Sequence, residues 1–281
     1  MLRKFFIRAV SGLVFVAAMV SGLMINKFLF AALMLFLIAG MMSEFYGITM
    51  RKRYRFSRFL AIMAGEVLFL LLFFSRGFGM PVRYVSLSFI PILAIMINSI
   101  YQPDRNNFSE FSHIYTGMLY IAVPLAFSNF LVFRNNVFSG KLLLCFFIII
   151  WASDVGAYVL GIIFGKRIWP KKLFPSISPH KSWAGFFGGL LSAVISSVAL
   201  TWLGLFEFRI FEAVALAVLM HVSGVYGDLF ESQWKRHYEV KDSGSIIPGH
   251  GGLLDRFDSA LLAVPVGAIF LMIFKLFTYA A

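Results

Sequence analysis

Residues 227–258 read GDLFESQWKRHYEVKDSGSIIPGHGGLLDRFD, a polar island between two strongly apolar segments. The island holds six acidic residues (Asp228, Glu231, Glu239, Asp242, Asp255, Asp258), four basic ones (Lys235, Arg236, Lys241, Arg256) and two histidines (His237, His250). Ionisable groups at the border of a hydrophobic region cost free energy unless they are paired, bound to a metal or used in chemistry. Asp228 and Glu231 are three apart, as are Asp255 and Asp258, so each pair shares one face of a helix. Between the pairs lies the flexible run PGHGG, Pro248 to Gly252. Carboxylates for a divalent cation, basic side chains for phosphates and glycines for close backbone approach are the equipment of phosphoryl transfer.

The rest of the chain gives this island its setting. Of 281 residues 60% are hydrophobic and only 14% charged, with 34 Phe and a mean hydropathy of +0.86. A soluble domain carries about 25% charged residues. The composition therefore specifies an all-α, polytopic integral membrane protein. The single cysteine, Cys145, excludes an internal disulfide. The net charge of +12 is carried by short loops between apolar runs, where basic residues set topology and attract anionic lipid; it does not indicate a nucleic-acid partner.

Nine runs have roughly spanning length, about 17 to 25 residues: approximately 5–25, 27–50, 58–75, 81–100, 114–133, 140–164, 183–204, 211–230 and 252–277. The first follows Arg3 and Lys4 but has no small-residue cleavage site, and is read as a retained span. With nine spans the loops alternate, and Lys plus Arg number seventeen on the side of the N-terminus against seven on the other. The positive-inside rule then puts the N-terminus and the polar island in the cytoplasm, with a polar cavity expected at the cytoplasmic face. The ionisable residues of the spans concentrate late in the chain, which suggests N-terminal transmembrane helices over 1–135 and a catalytic transmembrane region over 136–281.

Two further stretches carry chemistry. WASDVGAYVLGIIFG, residues 151–165, places Asp154 inside the sixth span, about 15 Å from its cytoplasmic end at 1.5 Å per residue. Asp154 is expected in a polar cavity, or else in a structural pair with Arg256 or Lys181; Gly156, Gly161 and Gly165 admit a close helix or ligand. Ser178-Pro179-His180-Lys181-Ser182 precedes the seventh span, where Lys181, Ser182 and the first amides of a helix could hold a phosphate. Glu44 and Glu66 read as acids paired within the bundle or facing water, and His221 as a hydrogen-bonded core residue. Zinc spacing, a GxSxG elbow and a GxxxxGK[ST] loop are all absent from the sequence. Asp228, Asp255 and Asp258 are expected at one membrane face, from two facing helices.

Ser232, Lys235-Arg236, Lys241-Asp242, Pro248, His250-Gly251-Gly252, Asp255-Arg256 and Asp258 closely resemble the signature of the phosphatidate cytidylyltransferases, the CDP-diacylglycerol synthases. The blocks Trp151–Lys166, Ser178–Gly189 and Gly227–Ser232 also resemble blocks of that family, in the same order. The resemblance covers roughly residues 140–262. It implies condensation of CTP with phosphatidic acid to give CDP-diacylglycerol and pyrophosphate at the cytoplasmic (inner) membrane, in phospholipid biosynthesis. It further implies that Asp228 and Asp255 bind metal, with Mg²⁺ and a monovalent cation, K⁺, as cofactors, and that the chain forms a homodimer. On that basis Lys181, Lys235, Arg236 and Lys241 are assigned to phosphates, and Asp258 and Asp154 to orienting cations. Ser178, Ser182 and His250 are assigned to substrate contacts, with Glu231, Ser232, Asp242 and Arg256 completing the site. Rival readings are a CTP-dependent polyprenol or phytol kinase, or a related lipid cytidylyltransferase, and an ion-coupled transporter.

Overall fold

The computed structural model describes residues 2–50, 52–101, 110–165, 170–274 and 276. Arg51, Arg105, Lys166, Arg167 and Lys275, which enter the charge count above, lie outside them. Among the described residues nine helical segments are long and apolar enough to cross a membrane, and the expectation of an all-α polytopic protein holds. The chain divides into two compact units, Met1–Ser139 with Asp242–Arg256, and Gly140–Lys241 with Phe257–Ala281.

In the first unit α1 (Leu2–Met24) and α2 (Lys27–Thr49) meet at Asn26, whose side chain accepts from the amides of Phe28 and Leu29. That N-cap satisfies donors that lipid could not. Helix α3 (Arg55–Phe78) stops at Gly79, which takes the left-handed conformation at φ 70°. The next two spans are composite. A 3₁₀ segment, Val82–Ser88, leads into α4 (Phe89–Ile100), and Pro91 in the first turn of α4 has no amide to donate to the preceding turn. The fifth span runs α5 (Glu110–Gly117), a π turn at Met118–Ala122, then α6 (Val123–Val132). Pro124 stands two residues after the π turn, and a proline that cannot bond back four residues is a recognised cause of such a defect.

A hairpin of β1 (Phe133–Arg134) and β2 (Val137–Phe138) turns on Asn135 and Asn136, both at positive φ (51° and 62°), the geometry of a type I′ turn. Phe133 and Phe138 pack on Phe30, with ring centroids 6.4 and 5.8 Å away. Phe69 and Phe73 complete this aromatic core.

In the second unit α7 (Lys141–Gly165) leads to the hairpin β3 (Lys172–Phe174) and β4 (Ser178–Ser182), then α8 (Trp183–Trp202) and α9 (Ile210–His237). Helix α10 (Leu254–Ile273) follows the polar loop. The glycines of α7 face those of α8: a Cβ on Gly188 would lie 3.0 Å from Gly156 O, and one on Gly161 would lie 3.3 Å from Gly185 Cα. Small residues let the two backbones approach, the usual route to helix association in lipid. Helix α9 continues seven residues past the apolar run expected to end at 230. Its added turns are held by the i,i+4 pair Glu231–Lys235 and by Lys235, Arg236 and His237 at the negative end of the helix dipole.

Candidate active site

Within the second unit, the last turns of α9 put Asp228, Glu231, Ser232 and Lys235 on one face through their 3- and 4-residue spacing. Lys181, from β4, reaches Asp228 with Nζ 2.5 Å from Oδ2, and the Ser232 hydroxyl donates to Oδ1 of the same carboxylate at 3.2 Å. Lys235 Nζ lies 3.0 Å from Glu231 Oε2; the Glu231 side chain is fully buried, so this ammonium is what makes its burial tolerable. Helix α10 adds Asp258, whose Oδ1 accepts from the Ser259 amide at 2.6 Å and whose carboxyl group is within electrostatic reach of Asp228, Glu231 and Lys235. The approach is tight because α9 has Gly227 here: a Cβ on it would overlap Asp258 O. Three carboxyl groups and two ammonium groups thus meet at this end of α9. Arg236 and Lys241 are exposed.

Ser182 is buried, and its hydroxyl caps α8 by accepting from the Gly185 amide at 3.1 Å. Ser178 is half-buried and pairs with Phe174 in the hairpin. Asp154 is exposed on α7. Next to it the buried Ser153 hydrogen-bonds His221 Nδ1 at 2.8 Å. Ser153, Asp154, His221 and Ser259 line a small cavity, with room for about one water molecule.

Within the first unit the loop 242–253 folds back to the start of α10. Asp255 Oδ2 accepts from the amides of Ser243 (2.9 Å) and Gly252 (2.8 Å), and Oδ1 is 3.2 Å from the Ser243 amide. Gly249 and Gly251 hold φ of 78° and 85°, which a side chain would strain. A Cβ on Gly251 would also sit 2.8 Å from Asp255 Oδ2. The glycines thus bring backbone up to the Asp255 carboxylate. Asp242 lies beside the same turn, and Arg256 is exposed. Ser11, on α1, donates to the Pro248 carbonyl at 2.9 Å and stands 2.9 Å from His250 Nδ1.

Glu44, expected to pair within the bundle or face water, is buried and hydrogen-bonded, and Ser243 is one of its partners. Glu44, in α2, accepts from Leu253 and Leu254 amides and from the Ser243 hydroxyl. As an acid in an apolar span it carried a signal, but nothing in its spacing names a partner 199 residues away. Nothing in the sequence marks Ser243 out from the other polar residues of the loop.

Among the described residues no three Asp, Glu, His or Cys side chains converge as a ready-made metal cage. The donor set still suits Mg²⁺, which takes one or two carboxylates and completes its shell with water and substrate phosphates. Asp228 and Asp255 supply hard carboxylate oxygens of that kind. Zn²⁺, which wants three or four nitrogen and sulfur ligands, does not fit.

Nine apolar spanning helices among the described residues, with carboxylates, lysines and a glycine-rich turn at helix ends, define the class as an integral membrane protein. A model of the cytidylyltransferase family matches residues 6–274, and the chain belongs to that family. It is similar to the phosphatidate cytidylyltransferase of Staphylococcus haemolyticus, 37% identical over 169 residues, which are 60% of this chain and 63% of that protein. The phosphatidate cytidylyltransferases of Staphylococcus epidermidis and Staphylococcus aureus are 34% identical over 194 residues, 69% of this chain and 72% of theirs. The match thus spans a little under two thirds of the first of these relatives and rather more of the other two.

Proposed function

We propose that this chain is a phosphatidate cytidylyltransferase, condensing CTP with phosphatidic acid to give CDP-diacylglycerol and pyrophosphate. The observation that carries the reading is the family match over residues 6–274, together with relatives named for this activity. A phosphate oxygen of the lipid attacks the α-phosphorus of CTP in line. The bond from that phosphorus to the α,β-bridging oxygen breaks, and pyrophosphate leaves with the electron pair. No covalent enzyme intermediate is needed, so the protein's task is positioning and charge stabilisation.

Asp228 and Asp255 are the proposed Mg²⁺ ligands, with K⁺ as a companion cation. Mg²⁺, when bound, would withdraw charge from phosphate oxygens and fix their orientation. Lys181, Lys235, Arg236 and Lys241 neutralise the phosphates, and Ser178, Ser182 and His250 hydrogen-bond them. Asp258 and Asp154 orient cations, while Glu231, Ser232, Asp242 and Arg256 hold the side chains that do so. The excess of Lys and Arg on one side supports a cytoplasmic site in the inner membrane. CTP is dissolved in the cytoplasm and phosphatidic acid in the leaflet, so both reach such a site. The chain is further proposed to form a homodimer, which a cross-linking measurement in the membrane tests.

The test is an assay in proteoliposomes with CTP labelled in the cytidine, with and without phosphatidic acid and Mg²⁺. Label entering the lipid with equimolar pyrophosphate is the expected result. Formation of CDP with transfer of the γ-phosphate to a lipid alcohol would replace this reading with a kinase. Cation-dependent solute flux without CTP turnover would replace it with a transporter.

A further inference from the structure

Helix α10 starts without a local cap. The residues before it, Gly252 and Leu253, have no side-chain acceptor, although the first amides of any helix need one. Glu44 supplies it from α2: Oε1 accepts from the Leu253 amide at 3.0 Å and Oε2 from the Leu254 amide at 2.9 Å. Oε2 also accepts from the Ser243 hydroxyl at 3.1 Å. The loop is shaped around this carboxylate. A Cβ on Gly252 would come 2.5 Å from Glu44 Oε2, and one on Gly244 would overlap Glu44 Oε1.

The same backbone serves a second carboxylate. Ser243 gives its hydroxyl to Glu44 and its amide to Asp255. Of three consecutive amides, Gly252 donates to Asp255 and Leu253 and Leu254 donate to Glu44. Both groups that orient Asp255 are therefore held in place by Glu44, which is 9% exposed and lies in an otherwise apolar helix. We propose that Glu44 is a positioning residue for Asp255, setting the direction of the carboxylate through Ser243 and residues 252–254. The inference rests on the reading of Asp255 as a metal ligand.

Glu44→Gln keeps the size and breaks the pattern. Both carboxylate oxygens accept from backbone amides, so whichever end carries the NH₂ group points hydrogens at a donor. Ser243→Ala is gentler: it removes the tie to Glu44 and leaves the amide that Asp255 uses. Residues that orient metal ligands typically change metal affinity or activity 10- to 100-fold when replaced.

The experiment measures Mn²⁺ binding to the purified full chain in detergent by electron paramagnetic resonance, alongside the Mg²⁺ concentration for half-maximal turnover. We expect Glu44→Gln to weaken Mn²⁺ by about tenfold or more and to raise the Mg²⁺ requirement by a similar factor. Ser243→Ala should weaken both by a few-fold, and Ser243→Thr, which keeps the hydroxyl, should restore them. Asp255→Asn is the reference. If it binds Mn²⁺ as the parent does, the metal reading of Asp255 fails and the inference with it. If Asp255→Asn is impaired while Glu44→Gln binds with parental affinity, this inference alone is overturned. Should Glu44→Gln not fold, parental Mn²⁺ affinity in Ser243→Ala overturns it, and weakened affinity rescued by Thr upholds it.

Discussion

Gly227 and Gly224 lie one turn apart on α9 and face α10, yet a methyl group added to each would meet different surroundings. At Gly224 the nearest atoms would be Ser259 Cβ at 3.5 Å, Ser259 O at 3.7 Å and Ala263 Cβ at 3.9 Å, which is ordinary contact. At Gly227 the methyl would overlap the carbonyl oxygen of Asp258 and lie 3.3 and 3.4 Å from Asp258 C and Ser259 Cα. Those atoms are helix backbone, which cannot rotate away. Restoring normal contact requires α10 to move off α9 by roughly 1 Å, since carbon and its neighbours settle at about 3.5–4 Å. Overpacking against backbone costs about 3 kcal/mol, and replacing glycine by alanine in a helix returns about 0.8–1 kcal/mol. Gly227→Ala should thus lose about 2 kcal/mol, or about 4–8 °C in Tm at 2–4 °C per kcal/mol. It should also lose about 100-fold in turnover, because the shift separates Asp258 from Asp228 and a 1 Å misplacement is worth that much. Gly224→Ala should match the parent in both or be slightly more stable. Thermal unfolding in detergent and the labelled-CTP assay on the two variants decide the matter. Equal Tm and equal turnover would refute the claim that the α9–α10 spacing sets the geometry of the acids.

Lys235→Met should cost about 3 kcal/mol in thermal unfolding by leaving the buried Glu231 without its ammonium. Adding Glu231→Gln should return most of that stability while turnover stays at least about tenfold down, since the proposed phosphate contact would be gone; a single variant as stable as the parent would count against the pair. Ser182→Ala removes the cap of α8 and should lower stability by about 1 kcal/mol, with turnover falling as well. Ser182→Asp caps equally well and should restore the Tm alone; recovery of turnover along with it would reduce Ser182 to a cap.

The spans were legible because lipid imposes a simple rule: about 20 apolar residues with internally satisfied backbone. What interrupts them was legible only in part. Pro91 and Pro124 announce irregular spans, but not that one opens as a 3₁₀ segment and the other carries a π turn. Two consecutive asparagines, 135 and 136, are a readable turn signal, since both must adopt positive φ. The glycines of α7 were readable as a close approach, and α8 is what approaches. The polar island stood out through its unusual charge and its resemblance to a family signature, and the family match bears that resemblance out. That residues 242–256 belong to the first unit was not readable, because a loop's partners are fixed by tertiary packing and leave no period in the sequence. Glu44 shows the same limit: its chemistry was visible, its partners were not.

Helix α9 also acts as a ruler. Its 28 residues measure about 42 Å at 1.5 Å per residue, against a hydrocarbon core of about 30 Å. Counting from Ile210 at one boundary, Asp228 lies at about 27 Å, just inside the other, and Lys235 at about 37 Å, at the depth of lipid phosphates. A thicker bilayer would draw the turn of Asp228 into hydrocarbon and a thinner one would lift it clear, each at a fraction of a kcal/mol per Å. The length of one helix thereby ties the depth of these charged residues to the thickness of the surrounding membrane.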